Sequence, residues 1–91
     1  MAKFNLGTVF MTRGIVDSLD ELGIENIKKI IARHSQGDWG ELEEKDKEMN
    51  DMAVRTGEDR ILSKYTINGE SIYIITGTDR SFTTIMFTHE Y

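Results

Sequence analysis

The polar residues whose types could do chemistry include His34, Asp38, Asp46, Asn50, Asp79 and Arg80. His34 and Asp38 are four positions apart across the end of an expected helix. If the chain folds back there, both reach one divalent ion, and Asp79 supplies a third ligand. Zinc is the natural choice, because without cysteine a zinc site needs converging histidine and carboxylate ligands. Asp46, His89 and Glu90 are further candidates. The chain has only two histidines and no cysteine, however, and no recognised metal spacing. The alternative is a buried hydrogen-bonded network that fixes the fold. The metal-binding reading extends to a small ligand-binding protein, hydrolytic in its strongest form.

Other catalytic patterns are missing. Ser35, Ser63 and Ser81 could pair with His34 or His89, but no G-x-S-x-G nucleophile elbow is present. No glycine loop of the phosphate-cradling kind occurs either. The balance is against an enzyme. Trp39, the single tryptophan, lies between Asp38 and Gly40. It reads either as core or as a partly exposed anchor of the kind enriched in binding hot spots. Asp38 is placed to cap the following helix, with Glu41 reinforcing that end. In Thr78-Asp79-Arg80-Ser81 the aspartate suits a turn brace that accepts backbone N–H groups.

Charge narrows the partners. The formal net charge is −5 over 91 residues, and Glu41 to Asp51 alone holds six acids and two lysines. Direct nucleic-acid binding needs clustered Lys and Arg, and none are clustered here. An acidic surface built on Glu41, Glu43, Glu44, Glu48 and Asp51, with Trp39 beside it, instead suits a basic groove on another protein. No apolar run approaches the roughly 20 residues of a membrane span. No secretory pattern opens the chain, and the absence of cysteine fits a reducing compartment, so a cytoplasmic location is expected.

The elements that must position these groups follow from periodicity. One domain over 1–91 is expected, burying roughly 60–65% of its unfolded surface. Alternation over 4–11 predicts a first strand, and Thr12 predicts a helix cap. Ile15, Val16, Leu19 and Leu22 predict one helix that stops at Gly23. A second helix from about Glu25 buries Ile24, Ile27, Ile30 and Ile31, and its period carries His34 into the same stripe. A third, over 42–56, gathers Leu42, Met49, Met52 and Ala53 on one face, with Asp46 and Asn50 on its rim. Glu41–Lys45 and Glu43–Lys47 are spaced to pair along it. Beyond residue 59 the period is two: Ile61, Ser63, Tyr65 and Ile67 share a side, and Asn68-Gly69 predicts a hairpin. The expected fold is α+β, with three helices on one face of a three- to four-stranded antiparallel sheet that ends in a β-meander.

The ordered series Arg33-His34-x-x-Gly37-Asp38-Trp39-Gly40-x-Leu42, Asp46, Asn50, Arg60-Ile61-Leu62-Ser63-x-Tyr65, Asp79-Arg80-Ser81, Thr83-Thr84 and Glu90-Tyr91 resembles a family of small proteins of phages, plasmids and other mobile elements. Its members are often labelled type I restriction subunit M. That label does not suit this chain, which has neither the length nor the glycine-rich loop of a methyltransferase. Small acidic proteins of mobile elements are similar in type to anti-defence inhibitors, anti-CRISPR proteins among them. The resemblance thus implies a non-enzymatic inhibitor that binds a host defence protein, a Cas9-type effector, through its acidic surface. A regulatory protein-binding module of a mobile element is the other reading. The chain departs from the family pattern at Gly77 and at Met86-Phe87-Thr88-His89, so His89 gains no support as a ligand.

Overall fold

In the second half of the chain, alternate residues face a common core. The computed structural model describes residues 2–91. Strands β2 (Ile61–Ile67), β3 (Glu70–Thr76) and β4 (Phe82–Phe87) bury Ile61, Ser63, Tyr65 and Ile67, then Ile72, Ile74 and Thr76, then Thr83, Ile85 and Phe87. The β2–β3 turn is Asn68-Gly69, both residues at positive φ (50° and 79°), as an Asn-Gly hairpin requires. The three strands pair antiparallel and form the expected meander.

Strand β1 (Thr8–Met11) corrects the expectation of an antiparallel sheet. It adds to β4 in parallel, giving a mixed sheet in the order β1-β4-β3-β2. It is also shorter than 4–11. Gly7, at φ 66°, breaks the extended run, and a Cβ there would lie 2.2 Å from the Ser81 carbonyl oxygen. Phe4 and Leu6 therefore leave the strand. Phe4 packs with Trp39, Ala53 and Ile61.

Among the described residues there are four α-helices rather than three. Thr12 caps α1 (Arg13–Asp17), its hydroxyl accepting from the Ile15 N–H. The chain breaks at Ser18, which is not helical, and α2 (Leu19–Leu22) follows. No glycine or proline marks that break. Val16 is 49% exposed, where helical spacing predicts it in the core. Helix α3 (Ile24–Ser35) buries Ile27, Ile30 and His34, with Ile24 exposed at its start. Ile15, Leu22, Ile27 and Ile30 form one core with Tyr65, Ile67, Ile72, Ile74, Ile85 and Phe87 of the sheet.

Helix α4 (Glu44–Thr56) starts two residues later than expected and is turned differently. It buries Asn50 and Ala53, while Met49 and Met52 are 52% and 55% exposed. Its late start frees residues 39–41 to lie along β2: the Lys64 N–H donates to the Trp39 carbonyl, and the Glu41 N–H to the Lys64 carbonyl. A 3₁₀ turn, Thr88–Glu90, follows β4. No helix among the described residues is long and apolar enough to cross a membrane.

Candidate functional site

The turn that follows α3 is built as a closed lock. Arg33 grips Asp38 with two bonds, Nε to Oδ2 at 2.7 Å and Nη2 to Oδ1 at 3.2 Å. That pairing raises the Arg33 pKa and lowers that of Asp38. The guanidinium also lies over the Tyr65 ring, 4.8 Å from its centre. The Tyr65 hydroxyl donates to the Asp38 carbonyl, and burial pushes its pKa up to about 12. Asp38 braces its own turn by accepting from the Gly40 N–H. It does not cap α4, where Glu43 occupies the cap position without a side-chain bond. Gly40 is the tightest point: at φ 76°, a Cβ there would stand 1.9 Å from the Lys64 carbonyl oxygen.

His34 is fully buried, as its position in the helical stripe predicts, and both its nitrogens are occupied. Nδ1 meets the Ser63 hydroxyl and Nε2 meets the Thr76 hydroxyl at 2.9 Å. Thr76 is bonded to Thr83 at 2.7 Å, and Thr83 donates to the Leu6 carbonyl at 2.7 Å. That carbonyl can only accept, and this fixes the protons back to the imidazole: Thr83 donates to Leu6, Thr76 to Thr83, and His34 Nε2–H to Thr76. Burial depresses the His34 pKa to about 3, so the ring is neutral with its one proton on Nε2. Nδ1 then accepts from the Ser63 hydroxyl. The ring is walled by Phe4 and Trp39, both edge-on.

This network decides between the two readings of the polar residues. His34 has no free lone pair for a metal. The Asp38 carboxylate is held by Arg33, and Asp79 Oδ1 accepts from the backbone N–H and the hydroxyl of Ser81, which lowers its pKa. Among the described residues no three His, Cys, Asp or Glu side chains gather to hold a metal ion. The expected His34/Asp38/Asp79 site, and a zinc ion on it, is corrected on that ground. Ser63 contacts His34 but is fully buried, so the pair meets no substrate.

The other sequence-selected residues also have structural partners. Arg80 sits at φ 61° and donates to four carbonyls: Asp59, Gly77 and Thr78 from Nη1, and Ala53 from Nη2 at 2.9 Å. It ties the β3–β4 turn to the last turn of α4, where a cation is favoured by the helix dipole. Asn50 imitates a strand. Its Nδ2 donates to the Leu62 carbonyl at 2.7 Å and its Oδ1 accepts from the Leu62 N–H, which seals the free edge of β2. The Glu90 carboxylate accepts from the Thr12 hydroxyl and the Phe87 N–H, and the latter bond leads in lowering its pKa.

Of the expected partner-binding residues, Trp39 is withdrawn from the surface. It is 4% exposed, and its indole N–H donates to Asp51 Oδ1 at 2.9 Å. A buried indole needs such an acceptor, so Asp51 is turned partly to this task. Glu41 lies before α4 rather than on it and accepts from the Thr66 hydroxyl, so the expected Glu41–Lys45 pair does not form. Lys47 reaches Glu44 at 3.8 Å in place of Glu43. Glu43, Glu44, Asp46 and Glu48 are exposed.

Two surface features remain. Met49, Met52 and Ala53 of α4 line a shallow groove of about 230 Å³ together with Thr56, Glu58 and Asp59. Sequence reasoning missed it by assigning both methionines to the core. A second pocket, of about 240 Å³, lies between α4, β2, β3 and Tyr91. No protein family, no curated protein and no solved structure matches the chain.

Proposed function

We propose that the protein is a non-enzymatic inhibitor of a host defence nuclease, a CRISPR effector of the Cas9 type, acting in the host cytoplasm. It binds by laying the outer side of α4 on a basic surface that otherwise holds nucleic acid. The observation that carries this reading is the exposure of Met49 and Met52 beside Glu48 and Asp51 on a helix whose opposite side is anchored to β2. Exposed methionines adapt to an apolar surface of irregular shape. The flanking acids, with Glu43 and Glu44, supply complementarity to lysine and arginine and steer the encounter. The sequence resemblance to mobile-element proteins supports the same class. No group in this surface performs chemistry; the effect is occlusion.

The test is DNA cleavage by purified Cas9–guide complexes from several sources, with and without a molar excess of the protein. Inhibition is expected for at least one of them. The charge-reversed variant Glu43→Lys/Glu44→Lys/Glu48→Lys should inhibit at least about tenfold less well, a change of about 1.4 kcal/mol in binding. Full cleavage in every case removes the nuclease reading. Undiminished inhibition by the triple variant removes the acidic surface as the means.

A further inference from the structure

The pocket of about 240 Å³ differs from the rest of the surface in the state of its charges. Its apolar walls are Leu42, Leu62 and the rings of Tyr73 and Tyr91, which meet edge-to-face at 5.5 Å. Asn50 forms a rigid side, because its amide is held by the Leu62 backbone. Asp46 and Arg60 also line the pocket. Among the described residues neither enters an ion pair, with the other or with any third group. The Arg60 side chain has one partner, the neutral Tyr91 hydroxyl at 3.3 Å, which leaves most of its donors free.

One small pocket thus presents an unpaired carboxylate and an unpaired guanidinium that do not close on each other. A purely anionic ligand would meet Asp46, and a purely cationic one would meet Arg60. A neutral ligand, even one that hydrogen-bonds both groups, would cover both charges without compensating either, which is costly. A molecule with an ammonium and a carboxylate satisfies both. The volume falls below the roughly 300–1,000 Å³ of drug-sized sites, so the occupant is small. Aromatic and leucine walls suit an apolar side chain.

We propose that this pocket binds a free α-amino acid with an apolar side chain, its carboxylate on Arg60 and its ammonium on Asp46. The site is independent of the Met49/Met52 groove, and it uses none of the residues changed in the triple variant.

The probes are L-phenylalanine and L-leucine, with N-acetyl-L-phenylalanine and L-phenylalaninamide as versions lacking one charge, titrated into isotopically labelled protein. Saturable shifts are expected at Asp46, Asn50, Leu62 and Tyr73, with a Kd of about a millimolar and about tenfold weaker binding of each blocked form. Asp46→Asn should abolish the penalty for acetylation, and Arg60→Gln the penalty for the amide. Both residues are exposed, so the variants should fold as the parent does. If one does not, the comparison of ligands on the parent protein decides alone. No saturable shift up to about 20 mM overturns the proposal, as does equal affinity for the blocked and free forms.

Discussion

The turn at 33–40 and the outer side of the helix at 44–56 are neighbours in sequence and handle their side chains in opposite ways. In the turn, Arg33, His34, Asp38 and, through its indole, Trp39 each have a defined partner. On the outer side of α4, Glu48, Met49 and Met52 face solvent, and Glu48 has no hydrogen-bond or ion-pair partner among the described residues. The unusual residue types are concentrated in the first region, while the unassigned surface lies in the second. Chemical rarity along this chain therefore marks what holds the fold, and the proposed binding surface is built from common residues whose placement is unusual. The distinction can be broken or sharpened by substitutions on each side.

The largest effect should come from Gly40→Ala. The added methyl would overlap the Lys64 carbonyl, a backbone atom that cannot move without parting residues 39–41 from β2. A loss above about 4 kcal/mol is expected in urea unfolding, or failure to fold. A loss under about 1 kcal/mol would mean that the turn is not the lock described.

Trp39→Ala follows, at about 3–5 kcal/mol for emptying a buried aromatic site. It also strips Asp51 of its donor. Trp39→Phe, which keeps one ring of the indole and loses the second ring with its N–H, should cost less than Trp39→Ala. Were Trp39 a surface anchor instead, both variants would leave the urea midpoint unchanged.

His34 gives a test by pH. Its pKa is about 3 when folded, against 6.5 for the ordinary imidazole. Between those values the unfolded chain binds the extra proton and the folded chain does not. Stability therefore rises with pH across this window, is complete above the ordinary value, and is lost as pH falls toward the folded one. The slope from this one group is at most about 1.4 kcal/mol per pH unit. Asp38, Asp79 and Glu90, whose pKa values are lowered, add loss only in the more acidic part. His34→Gln should flatten the slope between about pH 5 and 6.5, even if it lowers stability overall. An unchanged slope would place the titrating group elsewhere.

Much of this division was legible in the sequence, and the limits were physical. The burial of His34 followed from helical spacing with Ile27, Ile30 and Ile31. The Asn68-Gly69 turn and the Thr12 cap followed from local backbone preferences, which need no knowledge of distant residues. The orientation of α4 did not follow. A helical wheel puts Met49 and Met52 with Ala53, but α4 docks on a strand edge, where Asn50 is favoured because it can bond the exposed backbone of Leu62. The oddity of Asp46 and Asn50 on the rim was the one signal of this. The parallel pairing of β1 with β4 depends on contacts between residues far apart in the chain, so no local pattern announces it, and the break at Ser18 carries no glycine or proline to mark it. The metal reading failed because spacing cannot show that hydroxyls of Ser63 and Thr76 occupy both imidazole nitrogens.

The smallest effect on stability should come from the substitutions with the largest proposed effect on binding. Glu43, Glu44 and Glu48 are exposed, and of the three only Glu44 has an ion pair, to Lys47 at 3.8 Å. Exposed pairs of this kind contribute about 0–1 kcal/mol. Reversing all three charges relieves some repulsion in a chain of net charge −5, and also places cations at the first turn of α4, where the helix dipole disfavours them. The two effects oppose each other, so the net change in unfolding free energy should stay within about 1 kcal/mol. If the triple variant instead unfolded as readily as Trp39→Ala, the outer side of α4 would be structural like the turn, and any loss of inhibition would report unfolding rather than a lost docking surface. A folded variant that no longer inhibits would place recognition on the outer side of α4.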